Sequence, residues 1–180
     1  MQLFDWKELD TYADFTGWPD EVRAFFSPRD VCVPLVIDRI ISSAQHSVKV
    51  NMYGYDDDRL DAILHSKAAE PGFCFQMSLD KSQSRGVHEK ALVSSWASST
   101  GTTVAVGNSI KGAISHLKVA IVDGLYVISG STNWSTSGET KQDNELTIHK
   151  SQAIAARYAA VLDANHAAML QQMAQTGEAL

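Results

Sequence analysis

The sequence predicts an α/β fold, in which a mixed, mostly parallel β-sheet is flanked by helices on both faces and a β-hairpin carries an HxK motif. Strand-like apolar segments alternate with segments of helical periodicity along most of the chain. This alternation is typical of a sheet that is covered by crossover helices. An Asp-Gly pair at 123–124 joins two short segments rich in β-branched residues. Such a pair is a strong hairpin signal.

The predicted elements follow one another in a regular order. Leu60, Ile63 and Leu64, for example, stand at helical spacing, and the Pro71-Gly72 pair then ends that helix. We expect helices at 30–44, 57–67, 86–98 and 152–173, and strands at 47–55, 73–79, 102–106, 116–122, 125–129 and 145–149.

The length of 180 residues fits one domain with a sizeable core, so we expect a single domain over 1–180. Residues 1–24 are rich in aromatic side chains, and we expect this N-terminal extension to pack on the core or to serve a partner. Residues 174–180 are expected to form a frayed tail. No run of 18 apolar residues occurs, which predicts no membrane-spanning helix and no stable membrane association.

Charge and cysteine content restrict the partners and the compartment. The net charge of −6 argues against a large basic surface for nucleic acid. A local group of cations can still focus positive potential near a site, and the candidates are Lys81, Arg85, Lys111, Lys118 and Lys141. Cys32 and Cys74 lack CxxC spacing, and the N-terminus lacks an apolar signal segment. We therefore expect a cytoplasmic protein, with a periplasmic or secreted form as the alternative.

Polar residues gather around the predicted hairpin. His116 and Lys118 are two apart in a strand, so their side chains should point to the same face. If the Asp-Gly pair forms the whole turn, counting outward along both strands sets Ser131 directly opposite His116. Asn133 follows where the second strand ends. The pattern therefore predicts a His/Lys/Ser/Asn cluster at the open end of the hairpin.

These side chains suit an anion site that contains a base. Lysine offers three donors and no lone pair, and Ser and Asn add neutral donors, so together they suit phosphoryl oxygens better than a metal. A histidine can attack phosphorus as neutral imidazole or protonate a leaving oxygen as imidazolium. No spacing of histidines and carboxylates indicates a catalytic metal site. We expect phosphodiester chemistry that needs neither a metal nor another cofactor.

The spaced set of residues resembles a known family signature. His116-Leu-Lys118, then Asp123 after four residues, then Gly130-Ser131-Thr-Asn133 resemble the HxK(x)4D…GSxN signature of the phospholipase D superfamily. The Asn144-Glu145 pair resembles the acidic position that follows the signature. In a strand–turn–strand context the full set is highly specific.

The resemblance extends over roughly residues 25–170, and three further segments are similar to the small, single-motif nuclease branch of the superfamily. These segments are Phe26-Ser-Pro28, Ser47–Tyr53 and Ser78–Lys81. The resemblance implies a phospholipase D-like fold and a homodimer with its active site on the two-fold axis, because one motif supplies only half of the usual pair.

The resemblance also implies a role for each site residue. One His116 attacks phosphorus and forms a phosphohistidine, while the partner subunit's His116 protonates the leaving oxygen and then activates water. Lys118, Ser131 and Asn133 bind the phosphate, and Glu145 holds the imidazole Nδ1–H. Gly130 and Asp123 belong to the signature as structural residues.

Each residue also has a plainer interpretation. Asp123 lies at odd spacing from His116, which favours a structural turn residue. Lys118 alone could protect an edge strand from aggregation. Ser131 could be an ordinary turn residue, and Glu145 a solvent-facing charge.

The leading hypothesis for function is a metal-independent phosphodiesterase, a nuclease that hydrolyses DNA or RNA. A hydrolase or transferase acting on phospholipid headgroups is the first alternative. The second is a catalytically idle dimer that binds nucleic acid or a protein partner.

Overall fold

A mixed β-sheet forms the centre of the computed structural model, which describes residues 4–84, 86–96 and 102–177, with the backbone alone for 87–89. Within these residues the sheet has seven strands, β1 (Val22–Ser27), β2 (Ser47–Met52), β3 (Cys74–Asp80), β4 (Thr102–Gly107), β5 (Lys118–Val122), β6 (Tyr126–Gly130) and β7 (Asn144–Lys150). The helices are α1 (Val33–Ser42), α2 (Asp58–Ala68), α3 (Val87–Ser95), α4 (Thr136–Thr140) and α5 (Gln152–Thr176), preceded by a 3₁₀ helix (Trp6–Thr11).

The strand order is β1-β7-β6-β5-β2-β3-β4. Only the β2–β3 and β3–β4 pairs are parallel, whereas the other pairings within the described residues are antiparallel. The α/β class and the mixed sheet are confirmed, but the expectation of a mostly parallel sheet is wrong. The reason is that β6 and β7 are antiparallel neighbours and that β1, the first strand of the chain, pairs antiparallel with β7. Parallel neighbours would need a longer crossover connection, such as the one through α2 between β2 and β3.

Helices cover both faces of the sheet, as predicted. One face packs against α1 and α2 and contains most of the core, including Val50, Ala120 and Ile148. The other face packs against α5 through a smaller cluster that includes Val119, Val127 and Leu162. Alternate residues of β5 therefore enter different cores, because side chains alternate across a strand.

The N-terminal segment is part of the sheet as well as its cover. Trp6 and Leu9 are buried in the larger core. The edge strand β1 pairs with β7 in antiparallel register, and sequence reasoning did not predict this strand. At the other end of the chain, α5 continues to Thr176 and Gly177 takes the left-handed conformation that often ends a helix. Residues 178–180 of the expected tail lie outside the described residues.

The hairpin between β5 and β6 differs from its prediction by one residue. Asp123 and Gly124 both have positive φ, and the Leu125 N–H donates to the Val122 carbonyl, as in a two-residue turn. The ladder nevertheless pairs Val122 with Tyr126. An extra residue therefore enters the second strand. The predicted pairing of Ser131 with His116 is wrong for this reason, since a shift of one residue moves a side chain to the other face.

Candidate active site

The candidate site lies at one end of the sheet. The carboxyl ends of β2 and β6 meet the amino ends of β5 and β7 there, because β5 runs antiparallel to β2 and to β6, and β7 antiparallel to β6. His116 precedes β5 by two residues, and Asn133 follows β6 by three. The signature residues from both arms of the hairpin are thus collected at this end, except Asp123 at the turn.

His116 and Lys118 are in direct contact. The Nζ of Lys118 lies 3.2 Å from Nε2 of His116 and donates to the His116 carbonyl at 3.1 Å. Because an ammonium can only donate, Nε2 acts as the acceptor in this contact and its lone pair faces the cation. The imidazole is exposed, whereas the Lys118 side chain is buried. The pair therefore presents an accessible base above a sheltered positive charge.

Tyr53 packs against both members of the pair. Its ring centroid lies 4.4 Å from that of His116, and the Lys118 Nζ lies 4.8 Å from the same ring centroid. The Tyr53 hydroxyl accepts a hydrogen bond of 3.1 Å from Gln83 Nε2. An aromatic face favours a nearby cation, so Tyr53 stabilises the Lys118 ammonium.

Lys118 is a buried cation that has no acidic partner among the described residues. Only 6% of the residue is exposed, and none of the ion pairs among the described residues includes it. Burial lowers the pKa of Lys118 below that of a free lysine. A buried charge is costly unless it is compensated. The arrangement suits an anion that arrives from solvent.

A buried polar network anchors the segment that leads into His116. The Ser115 N–H donates to the carboxylate of Asp80 at 2.5 Å, and Asn51 Nδ2 donates to the Ser115 hydroxyl at 3.2 Å. Asp80 also accepts bonds from the backbone and hydroxyl of Ser82. Asp80 and Asn51 are fully buried, and Ser115 is nearly so. The backbone just before His116 is therefore fixed to the ends of β2 and β3.

Gly130 sets the exit of β6 toward Asn133. A Cβ at this position would lie 2.1 Å from the Glu145 carbonyl oxygen, and the residue has φ +146°. Only glycine fits such a close approach. Beyond it, Asn133 Oδ1 accepts a 3.2 Å bond from the Gly54 N–H. This bond leaves the Asn133 amide nitrogen as the group available to donate to a ligand.

Ser131 and Glu145 are hydrogen-bonded to each other, and neither is hydrogen-bonded to His116 among the described residues. The Glu145 N–H donates to the Ser131 hydroxyl at 3.0 Å, and that hydroxyl donates to Asn144 Oδ1 at 3.0 Å. The Glu145 carboxylate accepts from the Thr147 hydroxyl. No hydrogen bond given for the described residues joins Glu145 to His116, contrary to the expected role of holding Nδ1.

Glu145 does not reach His116 because the Glu145 and Lys118 side chains project from opposite faces of the sheet. Val119 pairs with Ser129, Ser129 pairs with Thr147, and Glu145 lies two residues from Thr147. Glu145 thus shares the α5 face with Val119, while Lys118 alternates to the other face. The register shift at the turn separates the carboxylate from the imidazole.

Asp123 lies at the far end of the hairpin from His116. Its carboxylate accepts three backbone bonds, from the N–H groups of Gln45, His46 and Ser47, at 2.8–2.9 Å. Its own N–H donates to the Ser47 carbonyl. Asp123 therefore fixes the turn to the loop that precedes β2 and makes no contact with the reacting groups.

Sequence reasoning missed the contributions of Tyr53 and Asp80 to this site. Both fall in segments whose resemblance to the nuclease branch is visible in the sequence, at the ends of the predicted strands 47–55 and 73–79. Polar or aromatic residues at adjacent strand ends are a usable signal, since such ends meet at one edge of a sheet. Of the local cations, Arg85 lies outside the described residues. Within the described part of the chain, no group of three or more His, Cys, Asp or Glu residues is arranged to hold a metal ion.

Comparison with known proteins identifies the family. The family model for the cardiolipin synthase, PLD-like domain matches residues 37–165, which is more than half of the chain. The chain belongs to the phospholipase D-like family. No curated protein sequence matches this PLD-like domain significantly.

Solved structures show the same fold. Nuc from Salmonella typhimurium, a phospholipase D family member, superposes with a TM-score of 0.70 at 22% identity, over 80% of this chain and 92% of Nuc. NucT from Helicobacter pylori gives 0.72 at 22% identity, over 84% and 96%. Phosphatidylserine synthase from Haemophilus influenzae gives 0.61 at 12% identity, over 81% of this chain but 38% of the synthase. No helix in the described part of the PLD-like domain has the length and apolar character needed to cross a bilayer.

Proposed function

We propose that this protein is a metal-independent phosphodiesterase, and specifically a nuclease that cleaves DNA or RNA through a phosphohistidine at a site shared by two subunits. The observation that carries the proposal is the contact between the exposed imidazole of His116 and the buried ammonium of Lys118. No carboxylate among the described residues forms an ion pair with this ammonium. A phosphodiester supplies the missing negative charge. The resemblance of the spaced signature at His116–Asn133 to the single-motif nuclease branch supports nucleic acid as the substrate class.

In the first step, Nε2 of a neutral His116 gives up its contact with Lys118 Nζ, which turns to the phosphate, and attacks phosphorus. An N–P bond forms, and the bond from phosphorus to the leaving oxygen breaks. The partner subunit's His116, as imidazolium, gives its proton to that oxygen. Lys118 and the amide nitrogen of Asn133 donate to the non-bridging oxygens, whose charge grows in the transition state.

In the second step, water attacks the phosphohistidine on the face that the leaving group vacated. The partner subunit's His116, now neutral, takes a proton from the water, and the N–P bond breaks to restore the first imidazole. The products are a phosphomonoester and a free hydroxyl. One imidazole cannot act on both faces of the phosphorus at once, and this is why the proposal needs two copies.

The role assigned to Glu145 is not retained in this proposal. Tyr53 orients the imidazole by ring packing, and the Asp80–Ser115 bond fixes the backbone that carries it. Ser131 acts through the backbone of Glu145 and the side chain of Asn144. Tyr53, Asp80 and Ser115 thus position the reacting groups without touching the phosphate, whereas Ser131 fixes the segment between β6 and β7.

The test is a substrate panel incubated in EDTA. The purified protein is mixed with single-stranded DNA, duplex DNA, RNA and phospholipid vesicles, and cleavage products are followed by electrophoresis and lipid chromatography. Cleavage of nucleic acid in the chelator is expected. Activity that disappears with EDTA contradicts the metal-free step, and cleavage of lipid alone points to a headgroup hydrolase. Binding without cleavage of any substrate points to an idle dimer.

Subunit mixing tests the shared site. Heterodimers of wild-type and His116→Ala chains, purified with two different tags, are expected to be inactive. Half of the wild-type activity in such heterodimers, or full activity from an isolated monomer, contradicts a site on the two-fold axis.

A further inference from the structure

A groove with a volume of about 470 Å³ opens at the same end of the sheet as the candidate site, on the α5 face. Its lining includes Phe26 and Arg29 from one side and Ser131, Asp143 and Glu145 from the other. The volume falls within the usual range for small-molecule sites, about 300–1,000 Å³. Ser131 belongs to the segment between Gly130 and Asn133, so the groove reaches the end of the sheet that carries the signature.

Phe26 is the unusual feature of this groove. It remains 47% exposed, although its neighbour Phe25 is fully buried in the core. Phe26 lies directly opposite Glu145 in the β1–β7 ladder, so the two side chains project together from one face. That face is the one that α5 covers, but α5 packs mainly on the five strands from β6 to β4 in the sheet order. The end of β1 and β7 therefore presents an aromatic ring to solvent.

The charges around Phe26 do not favour a phosphate. Arg29 is the cation among the lining residues, and it stands against Asp143 and Glu145. The carboxylate of Asp30 is close as well, since it accepts a 2.7 Å bond from the Phe26 N–H. An aromatic face bordered by carboxylates suits a nucleobase instead, because the base stacks on the ring and its amino group can donate to a carboxylate.

We propose that this groove binds an unpaired base of the nucleic acid strand, stacked on Phe26 and flanking the cleaved bond. The inference rests on the proposed nuclease function and specifies its substrate. Strand β1 lies three places from β5 in the sheet, a separation of about 14 Å at ordinary strand spacing. The groove therefore takes a flanking nucleotide, and the phosphate at His116 belongs to a neighbouring part of the same strand.

The proposal predicts a preference for single strands. A base within a duplex is stacked on both of its neighbours and paired along its edge, so it must be unstacked before it can meet a protein ring. A single strand bears little of this cost. A stacking subsite near the scissile bond thus favours single-stranded or locally opened nucleic acid over intact duplex.

The experiment measures binding separately from cleavage. On a His116→Ala background, which prevents turnover, the affinity for a short fluorescein-labelled single-stranded oligodeoxynucleotide is measured by anisotropy in EDTA. Phe26→Ala removes the ring, and Phe26→Tyr keeps it. Trp18→Ala is the matched control, because Trp18 is also an exposed aromatic residue, at 43%, but lies before the other end of β1.

Phe26→Ala is expected to raise Kd for the single strand about tenfold, the scale of one lost base–aromatic stack. Phe26→Tyr and Trp18→Ala should leave Kd unchanged. The slope of log Kd against log salt, from about 50 to 200 mM, should not change in Phe26→Ala, since stacking releases no counterions. For a duplex of the same sequence the Phe26→Ala effect should be smaller.

Several results overturn the base subsite. They are an unchanged Kd in Phe26→Ala, an equal loss for duplex and single strand, a changed salt slope, and no oligonucleotide binding at all. A Phe26→Ala protein that becomes monomeric in sedimentation assigns the groove to the subunit contact, and one that loses only anionic vesicles assigns it to lipid. Hydrolysis of bis(p-nitrophenyl) phosphate by the wild-type protein, which involves no nucleobase, tests the catalytic proposal independently.

Discussion

The Nζ of Lys118 lies 3.2 Å from Nε2 of His116, although the first side chain is buried and the second is open to solvent. The contact places a fixed positive charge at the base of an accessible nucleophile.

Replacement of His116 should abolish turnover and spare the fold. His116→Ala is expected to lower kcat by about 10³-fold or more, because the nucleophile and the proton donor are both lost. The side chain is exposed, so thermal unfolding should change little. Hydrolysis of the best substrate of the panel and circular dichroism measure the two effects. Unfolding of the variant contradicts a purely catalytic role for His116.

The pH dependence of activity should be bell-shaped, since one His116 must be neutral while the other is protonated. Lys118 adds a second alkaline effect. Burial lowers the pKa of its ammonium below the ordinary 10.5, so the charge that binds phosphate is lost at a lower pH than for a free lysine. The apparent Kd for a phosphodiester should therefore begin to rise at a lower pH than a free lysine would give. A profile that stays flat from about pH 5 to pH 9 contradicts the paired histidines.

Tyr53 should control the alkaline limb of the pH profile, that is, the fall of activity at high pH. Tyr53→Leu removes the ring that faces Lys118 and His116 and should move the alkaline limb to lower pH, with about a tenfold loss of kcat. Tyr53→Phe keeps the ring and loses only the bond from Gln83, so its profile should stay close to the wild-type profile. A structural role alone predicts lower stability in Tyr53→Leu without a shift of the limb.

Asp123 should contribute to stability and not to chemistry. Asp123→Ala leaves three backbone N–H groups without their acceptor and should lower the free energy of unfolding by about 1–3 kcal/mol. Asp123→Asn, which tolerates the observed φ of 52° and keeps one acceptor, should lose less. Urea denaturation measures the loss. At low temperature, kcat per folded molecule should match the wild type, and a large fall there assigns Asp123 to the reaction.

Glu139 should make stability depend on pH. The residue is only 2% exposed, and burial, followed by the charge of Asp57, raises its pKa from 4.5 to about 8. The folded protein therefore retains a proton that the unfolded chain releases above pH 4.5. Its contribution to stability is fully present below pH 4.5 and is lost as the pH rises through about 8.

Glu139→Gln isolates this effect, because the amide mimics the protonated acid at every pH. Relative to wild type, the variant should gain stability on the order of a few kcal/mol between about pH 4.5 and pH 8 and then level off. Thermal unfolding across this range measures the difference. A constant offset at all pH values indicates that the bond from Arg59 Nη2, at 2.9 Å, holds Glu139 ionised.

Most of the fold could be predicted from local pattern, and most of the errors arise from pairing. The helix at 152–173 and the strand at 145–149 were located to within a few residues, because capping by Ser151 and apolar periodicity are local signals. Strand β1 was missed, since its partner lies more than a hundred residues away. The direction of pairing is also nonlocal, so alternating strands and helices suggested more parallel pairs than exist.

The candidate site shows the same division. The contact of His116 with Lys118 follows from a spacing of two in an extended segment. The separation of Glu145 from His116 depends on one extra residue after the turn, which the Asp-Gly pair does not reveal. The packing of Tyr53 on the imidazole depends on the antiparallel pairing of β2 with β5, and the position of Tyr53 at a strand end indicates the edge of the sheet but not this pairing.

The edge strand β1 hydrogen-bonds only to β7 among the described strands. During translation, residues 22–27 therefore wait for their partner until 144–150 have left the ribosome. At about 5–20 residues per second, the delay is several seconds or more. For that time the Phe25-Phe26 pair has no sheet to join, and the nascent polypeptide is exposed to chaperone capture or to misassociation with another chain.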